Sequence, residues 1–120
     1  MTQQCVPSAI GLFDEASRLK VEKKFSKAIE TYLEVLSADP SYKEAAYNIG
    51  NIYRIKNRMD LAMSYWKQSL DIDPSFQGAH INLGIALRSS GSLDEAIYHY
   101  MKVIETDEGA TCVEAYVNLG

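Results

Sequence analysis

The chain is expected to fold as an all-α, right-handed superhelix of stacked antiparallel helix pairs, three complete and a fourth begun. Three observations predict this. One phrase recurs, as AAYNIG (45–50), AHINLG (79–84) and EAYVNLG (114–120). Spacings then repeat without insertion: Pro40 to Pro74, Asn48 to Asn82, Gly50 to Gly84, Ala28 to Ala62 and Ala62 to Ala96 are each 34 residues. A fixed period of this size marks an array of small stacked modules. Finally, each period carries two apolar stripes at helical spacing. In the second these are Ala46, Ile49, Gly50, Tyr53 and then Ala62, Met63, Trp66, Leu70, separated by KNRMD. Two amphipathic helices and a short turn follow from that pattern.

The elements are justified in order. Residues 1–8 precede the first period and read as an extension. The first module, 9–42, keeps Leu12, Ala16, Leu19, Ala28, Tyr32 and Pro40 in register. Asp39-Pro40 should end its second helix, because the residue before proline is pushed out of the α region. Ser41 and Glu44 have the spacing of a capping box, so the second module, 43–76, should begin there. Asp73-Pro74 closes that module in the same way. The third, 77–110, has Gly91 where one helix must stop, and Ser92 with Glu95 to start the next. Thr111 with Glu114 offers a fourth start, and residues 111–120 read as a loop and the beginning of a fourth module. Gly84 to Gly120 is 36 residues, so TDEGATC (106–112) carries a two-residue insertion. The pattern then breaks off inside a first helix too short to stand alone. A fragment of a longer array is expected, with 113–120 a partial cap and self-association possible through that end.

Small residues predict how the helices touch. Ala16, Gly50, Gly84 and Gly120 hold equivalent places on first helices, and Ala28, Ala62 and Ala96 on second helices. Close helix crossings need small side chains, with Tyr32, Trp66 and Tyr100 filling the gap beyond. A larger residue at Gly50 should overpack the crossing by roughly 1–3 kcal/mol.

Composition excludes some functions. The apolar share is 47%, the charged share 23% and the net charge −4, which suits a folded domain and lacks the basic face of a nucleic-acid binder. No apolar stretch reaches bilayer-spanning length, and MTQQCVPSAIGLF lacks the basic start of a signal peptide. Cys5 and Cys112 are far apart, as expected of free thiols in a reducing, cytoplasmic setting.

The pattern Ala46-x2-Ile49-Gly50-x2-Tyr53…Ala62-x3-Trp66…Pro74 resembles the tetratricopeptide repeat. Glu108 replaces the usual proline of the third module, and Glu15 occupies a normally apolar place of the first. An end module with a wetted face would tolerate that glutamate. Pentatricopeptide arrays, which read RNA, run one residue longer and lack this glycine-alanine pattern.

The resemblance implies a protein-interaction scaffold that is not an enzyme. It would hold a peptide or partner segment in a concave groove lined by first helices, with no nucleic acid, membrane, cofactor or metal. The alternative is the substrate-recognition arm of a larger enzyme, such as a glycosyltransferase, with its catalytic part beyond residue 120. Transferred by position, the groove residues are Phe13, Ser17, Lys20, Tyr47, Asn48, Asn51, Arg54, Ile81, Asn82, Ile85, Arg88 and Asn118. Carboxamides both donate and accept, so Asn48, Asn82 and Asn118 could pair with a ligand's peptide units regardless of its sequence. Lys20, Arg54 and Arg88 could attract carboxylates, or merely complement helix dipoles. Phe13 and Tyr47 could equally be half-buried between neighbouring helices. The clamp for acidic chaperone tails would need lysine, two asparagines, lysine and arginine at Phe13, Ser17, Asn48, Gly78 and Asn82; only Asn48 fits.

Catalytic signals are thin. His80 falls at a packing position and His99 on an outer helix, and both are expected to be structural or solvated. DIDPSFQG (71–78) imitates a calcium loop, but Phe76 and Asn82 stand where glycine and glutamate are required. The run RLKVEKKFSK (18–27) reads as a solvated basic face.

Overall fold

The computed structural model describes residues 8–106. Those residues form six helices: α1 (Ala9–Val21), α2 (Phe25–Ala38), α3 (Lys43–Ile55), α4 (Met59–Ile72), α5 (Gln77–Ser89) and α6 (Leu93–Thr106). Each helix packs chiefly on its neighbours in sequence, giving three hairpins stacked side by side in an all-α solenoid. The expected loop and fourth helix, including Thr111 and Asn118, lie outside the described residues.

The helix ends follow from local chemistry, with one correction. Ser8 caps α1, its Oγ accepting from the Gly11 N–H at 3.0 Å. Asp39 and Asp73 adopt extended backbone directly after α2 and α4, as their following prolines require. The Ser41 capping box does not form. α3 starts at Lys43 with Tyr42 as its cap and no side-chain cap bond. Ser41 instead donates its N–H and hydroxyl to Asp39 Oδ1, at 3.1 and 2.7 Å. Aspartate before proline offers a charged acceptor two residues back, which outcompetes the neutral amides ahead. Ser75 repeats the arrangement with Asp73.

Every turn inside a hairpin is built alike. Lys23, Asn57 and Gly91 occupy the left-handed region at φ 64°, 64° and 90°. The following N–H bonds back to the last helical turn, from Lys24 to Leu19, Arg58 to Tyr53 and Ser92 to Leu87. This is the closing geometry favoured by glycine, and only the third hairpin has one.

The core is distributed along the stack. Ala16, Leu19, Ala28, Tyr32, Val35, Ala45, Ile49 and Ile52 form one buried cluster. Ala62, Trp66, Ala79, Leu83, Leu87, Ala96 and Tyr100 form the next. Hairpin crossings are as close as the small residues predict. A Cβ on Gly50 would lie 2.6 Å from the Trp66 ring and 2.9 Å from the Ala62 carbonyl oxygen. On Gly84 it would lie 2.7 Å from Tyr100. Glu15 is exposed on the first hairpin.

Candidate functional site

Successive first helices α1, α3 and α5 place their sixth, ninth and twelfth residues along one face. Two polar bonds cross between hairpins there. Lys20 Nζ donates to Asn48 Oδ1 at 3.0 Å, linking α1 to α3. Asn82 Nδ2 donates to Asn51 Oδ1 at 2.9 Å, linking α5 to α3. The amides of Asn48 and Asn82 therefore both reach back to the preceding first helix.

A second set of bonds ties this face to the helices behind it. Ser17 Oγ pairs with the Tyr32 hydroxyl at 2.9 Å, and Asn51 Oδ1 accepts from Trp66 Nε1 at 3.1 Å. Burial pushes the Tyr32 phenol up, with the Ser17 bond partly opposing it. In the third hairpin the equivalent of Ser17 and Asn51 is Ile85. Among the described residues the buried Tyr100 hydroxyl accordingly has no close hydrogen-bond partner, and burial raises its pKa while the nearby Arg88 guanidinium partly opposes the rise.

The remaining expected residues divide into two groups. Phe13 is half-buried, stacked on Tyr42 at 4.9 Å and tilted against Tyr32 at 5.6 Å. Tyr47 meets Phe76 edge-on at 5.1 Å and covers Gly78. These rings cement neighbouring hairpins as much as they face the groove. Ile81 is partly buried, whereas Ile85 stays 44% exposed. Arg54 and Arg88 are exposed in the last turns of their helices, where they also face the carbonyl ends. None of Lys20, Arg54 and Arg88 enters the ion pairs formed among the described residues. Burial, then the Arg54 charge, holds the Lys20 ammonium below its usual pKa.

Between these side chains lies a cavity of about 380 Å³, lined by Arg54, Met59, Trp66, Asn82, Ile85, Ala86 and Ser89. Sequence reasoning placed Arg54, Asn82 and Ile85 there and missed the others. Trp66 had registered only as packing. The available signal was Asn51 facing the one indole of the series, where Ser17 faces a tyrosine. Another hollow, of about 390 Å³, is bounded by Phe13, Asp39, Ser41, Tyr42 and Glu44.

The histidines form a pair that their sequence positions do not reveal. His80 Nδ1 lies 2.9 Å from His99 Nδ1, and His80 Nε2 lies 2.7 Å from the Pro74 carbonyl oxygen. A carbonyl only accepts, so Nε2 carries a proton. His80 is buried, as its packing position suggested. Burial, then His80 and Lys67, lowers His99 to about 4.

No helix among the described residues is long and apolar enough to cross a membrane. No curated protein sequence matches the chain. Among solved structures it is similar to MamA, with a TM-score of 0.78 and 25% identity, covering 84% of this chain and 59% of that one. The first repeat domain of Spaghetti (RPAP3), bound to the HSP90 peptide SRMEEVD, gives a TM-score of 0.82 at 23% identity, over 93% and 89% of the two chains. The second domain of the same protein, bound to the same peptide, gives 0.75 at 25%, over 83% and 93%. Family models for the tetratricopeptide repeat match residues 13–75 and 78–109. With the hairpin period, the glycine-aromatic crossings and these matches in agreement, the chain belongs to the tetratricopeptide repeat family.

Proposed function

We propose that the chain is a protein-interaction scaffold that holds an extended peptide along the face of α1, α3 and α5. One observation carries this reading: Asn48, Asn51 and Asn82 are each pinned by the carboxamide oxygen or nitrogen alone. The other half of each amide has no partner among the described residues. Pinned groups lose little freedom on binding, so each bond to a peptide unit keeps most of its worth of roughly 0.5–1.5 kcal/mol. Lys20, Arg54 and Arg88 flank the amides and favour acidic segments. The solved structures similar to this chain support the mode, since two hold a peptide. The ligand differs from theirs, because Phe13, Ser17 and Gly78 occupy places where the acidic-tail clamp needs charged or carboxamide side chains. Cys5 and Cys112 suit a reducing, cytoplasmic setting for such a scaffold.

The test is a peptide array probed with the intact chain and with the triple variant Asn48→Ala, Arg54→Ala, Asn82→Ala. Capture should fall at least tenfold, as expected from losing two amide bonds and a charge-assisted one of roughly 1.5–3 kcal/mol. Equal capture by a folded triple variant would refute the groove.

A further inference from the structure

The direction of one hydrogen bond sets the chemistry of the cavity. An indole N–H can only donate. Trp66 Nε1 therefore demands that Asn51 present its oxygen. With that oxygen facing inward, Asn82 must present nitrogen to it. Asn82 Oδ1 is left over, an acceptor without a partner among the described residues on the cavity wall. The carboxamide can no longer offer either end to a ligand: Trp66 has chosen for it.

Two other walls have equally definite demands. Met59, Ile85 and Ala86 are apolar, and Met59 and Ile85 are 38% and 44% exposed. Arg54 brings a guanidinium with no ion pair among the described residues, and Lys20 stands near enough for the two cations to repel. A chain of net charge −4 has brought two cations together here, neither in an ion pair among the described residues. An anion entering beside Arg54 would relieve the repulsion.

We propose that this cavity recognises a single peptide residue that supplies three complements together. Its main-chain N–H meets Asn82 Oδ1, its apolar side chain covers Met59, Ile85 and Ala86, and a carboxylate meets Arg54. The carboxylate comes from the end of the ligand chain or from an acidic neighbour of the apolar residue. This deepens the peptide-binding reading and rests on it.

Small probes isolate each demand. The ¹⁵N-labelled intact chain is titrated with N-acetyl-L-leucine, with its uncharged amide, and with its N-methylated form, which lacks the N–H. A fourth probe, the C-terminal α-amide of N-acetyl-leucyl-aspartate, keeps its one carboxylate on the neighbouring side chain. Ligands this small are held roughly millimolar. N-acetyl-L-leucine should shift the Trp66 indole and Asn82 carboxamide signals saturably. The amide and the N-methyl form should bind roughly tenfold more weakly. Arg54→Gln, at an exposed position and checked by an unchanged melting temperature, should erase the preference for acid over amide. Whichever of the first and fourth probes binds tighter identifies the source of the carboxylate. Equal binding of acid and amide with no gain from the fourth probe, a carboxylate preference that survives Arg54→Gln, or no saturable shift with any probe overturns the assignment. Failure of the broader reading looks different: no array peptide is captured at all. Capture that ignores Arg54→Gln sinks the cavity assignment alone.

Discussion

Asn82 donates to Asn51 at 2.9 Å across the gap between neighbouring hairpins, and the same Asn51 oxygen holds the Trp66 indole at 3.1 Å. One acceptor thus joins a helix to its own hairpin partner and to the next hairpin. Asn51→Ala should leave the buried indole N–H without a partner and free Asn82. The expected loss is about 1–3 kcal/mol, read from urea denaturation. Trp66→Phe, which removes donor and partner demand together, should leave Asn82 free to rotate.

Tyr32→Phe and Tyr100→Phe should have opposite signs. Tyr32 loses a bond to Ser17, worth roughly 0.5–1.5 kcal/mol. Tyr100 sheds a buried hydroxyl with no close partner among the described residues, only the Arg88 guanidinium nearby, so its removal should be neutral or stabilising by about 1 kcal/mol. Thermal unfolding of both variants in one buffer decides it; parallel destabilisation would contradict the assignment.

Gly50→Ala adds a methyl group 2.6 Å from the Trp66 ring and 2.9 Å from the Ala62 backbone oxygen. Alanine gains about 1 kcal/mol in helix propensity. A backbone atom cannot step aside, so overpacking of roughly 1–3 kcal/mol should prevail. Gly78→Ala meets Tyr47 at 3.0 Å, a contact that ring rotation can relax, and should cost less. Denaturant midpoints rank the two.

Lys23 holds φ 64° in the turn where the third hairpin uses Gly91. Lys23→Gly removes the strain of a Cβ there at the expense of a freer unfolded chain. A net gain of roughly 0.5–1 kcal/mol is expected from thermal unfolding. Asn57→Gly should gain less, because asparagine tolerates this region.

His99 makes stability depend on pH. Its folded value of about 4 lies below the ordinary 6.5, so the unfolded chain binds more protons between the two. The contribution is complete above pH 6.5 and is lost as pH falls towards 4. The groups facing it are His80 from α5, Lys67 from α4 and the neighbouring Tyr98 ring. Discounted for partial exposure, about 1–2 kcal/mol should disappear over that window. His99→Gln should flatten the melting-temperature profile there; a profile unchanged by the substitution would exclude this source.

The hairpins, their period and their crossings were legible because they rest on spacing. Alanine or glycine facing an aromatic every 34 residues leaves few other packings, and Asp-Pro stops a helix wherever it occurs. Ser41 was misread because its capping motif and its turn to Asp39 compete locally, and one string of letters contains both. Lys23 went unnoticed because its left-handed backbone is imposed by the docking of two helices against the residue's own preference.

The sequence alone therefore determined which residues share a face: Asn48 with Asn82, Lys20 with Arg54 and Arg88. Periodicity reports direction along a helix, and direction is enough for that. Only the tertiary structure decided what each group does there. It aimed Asn51 at Trp66, set the Tyr100 hydroxyl near the Arg88 guanidinium, and brought His80 to His99. Hydrogen bonds depend on tenths of an ångström and on which atom faces which, and both arise only when separate helices come to rest against each other.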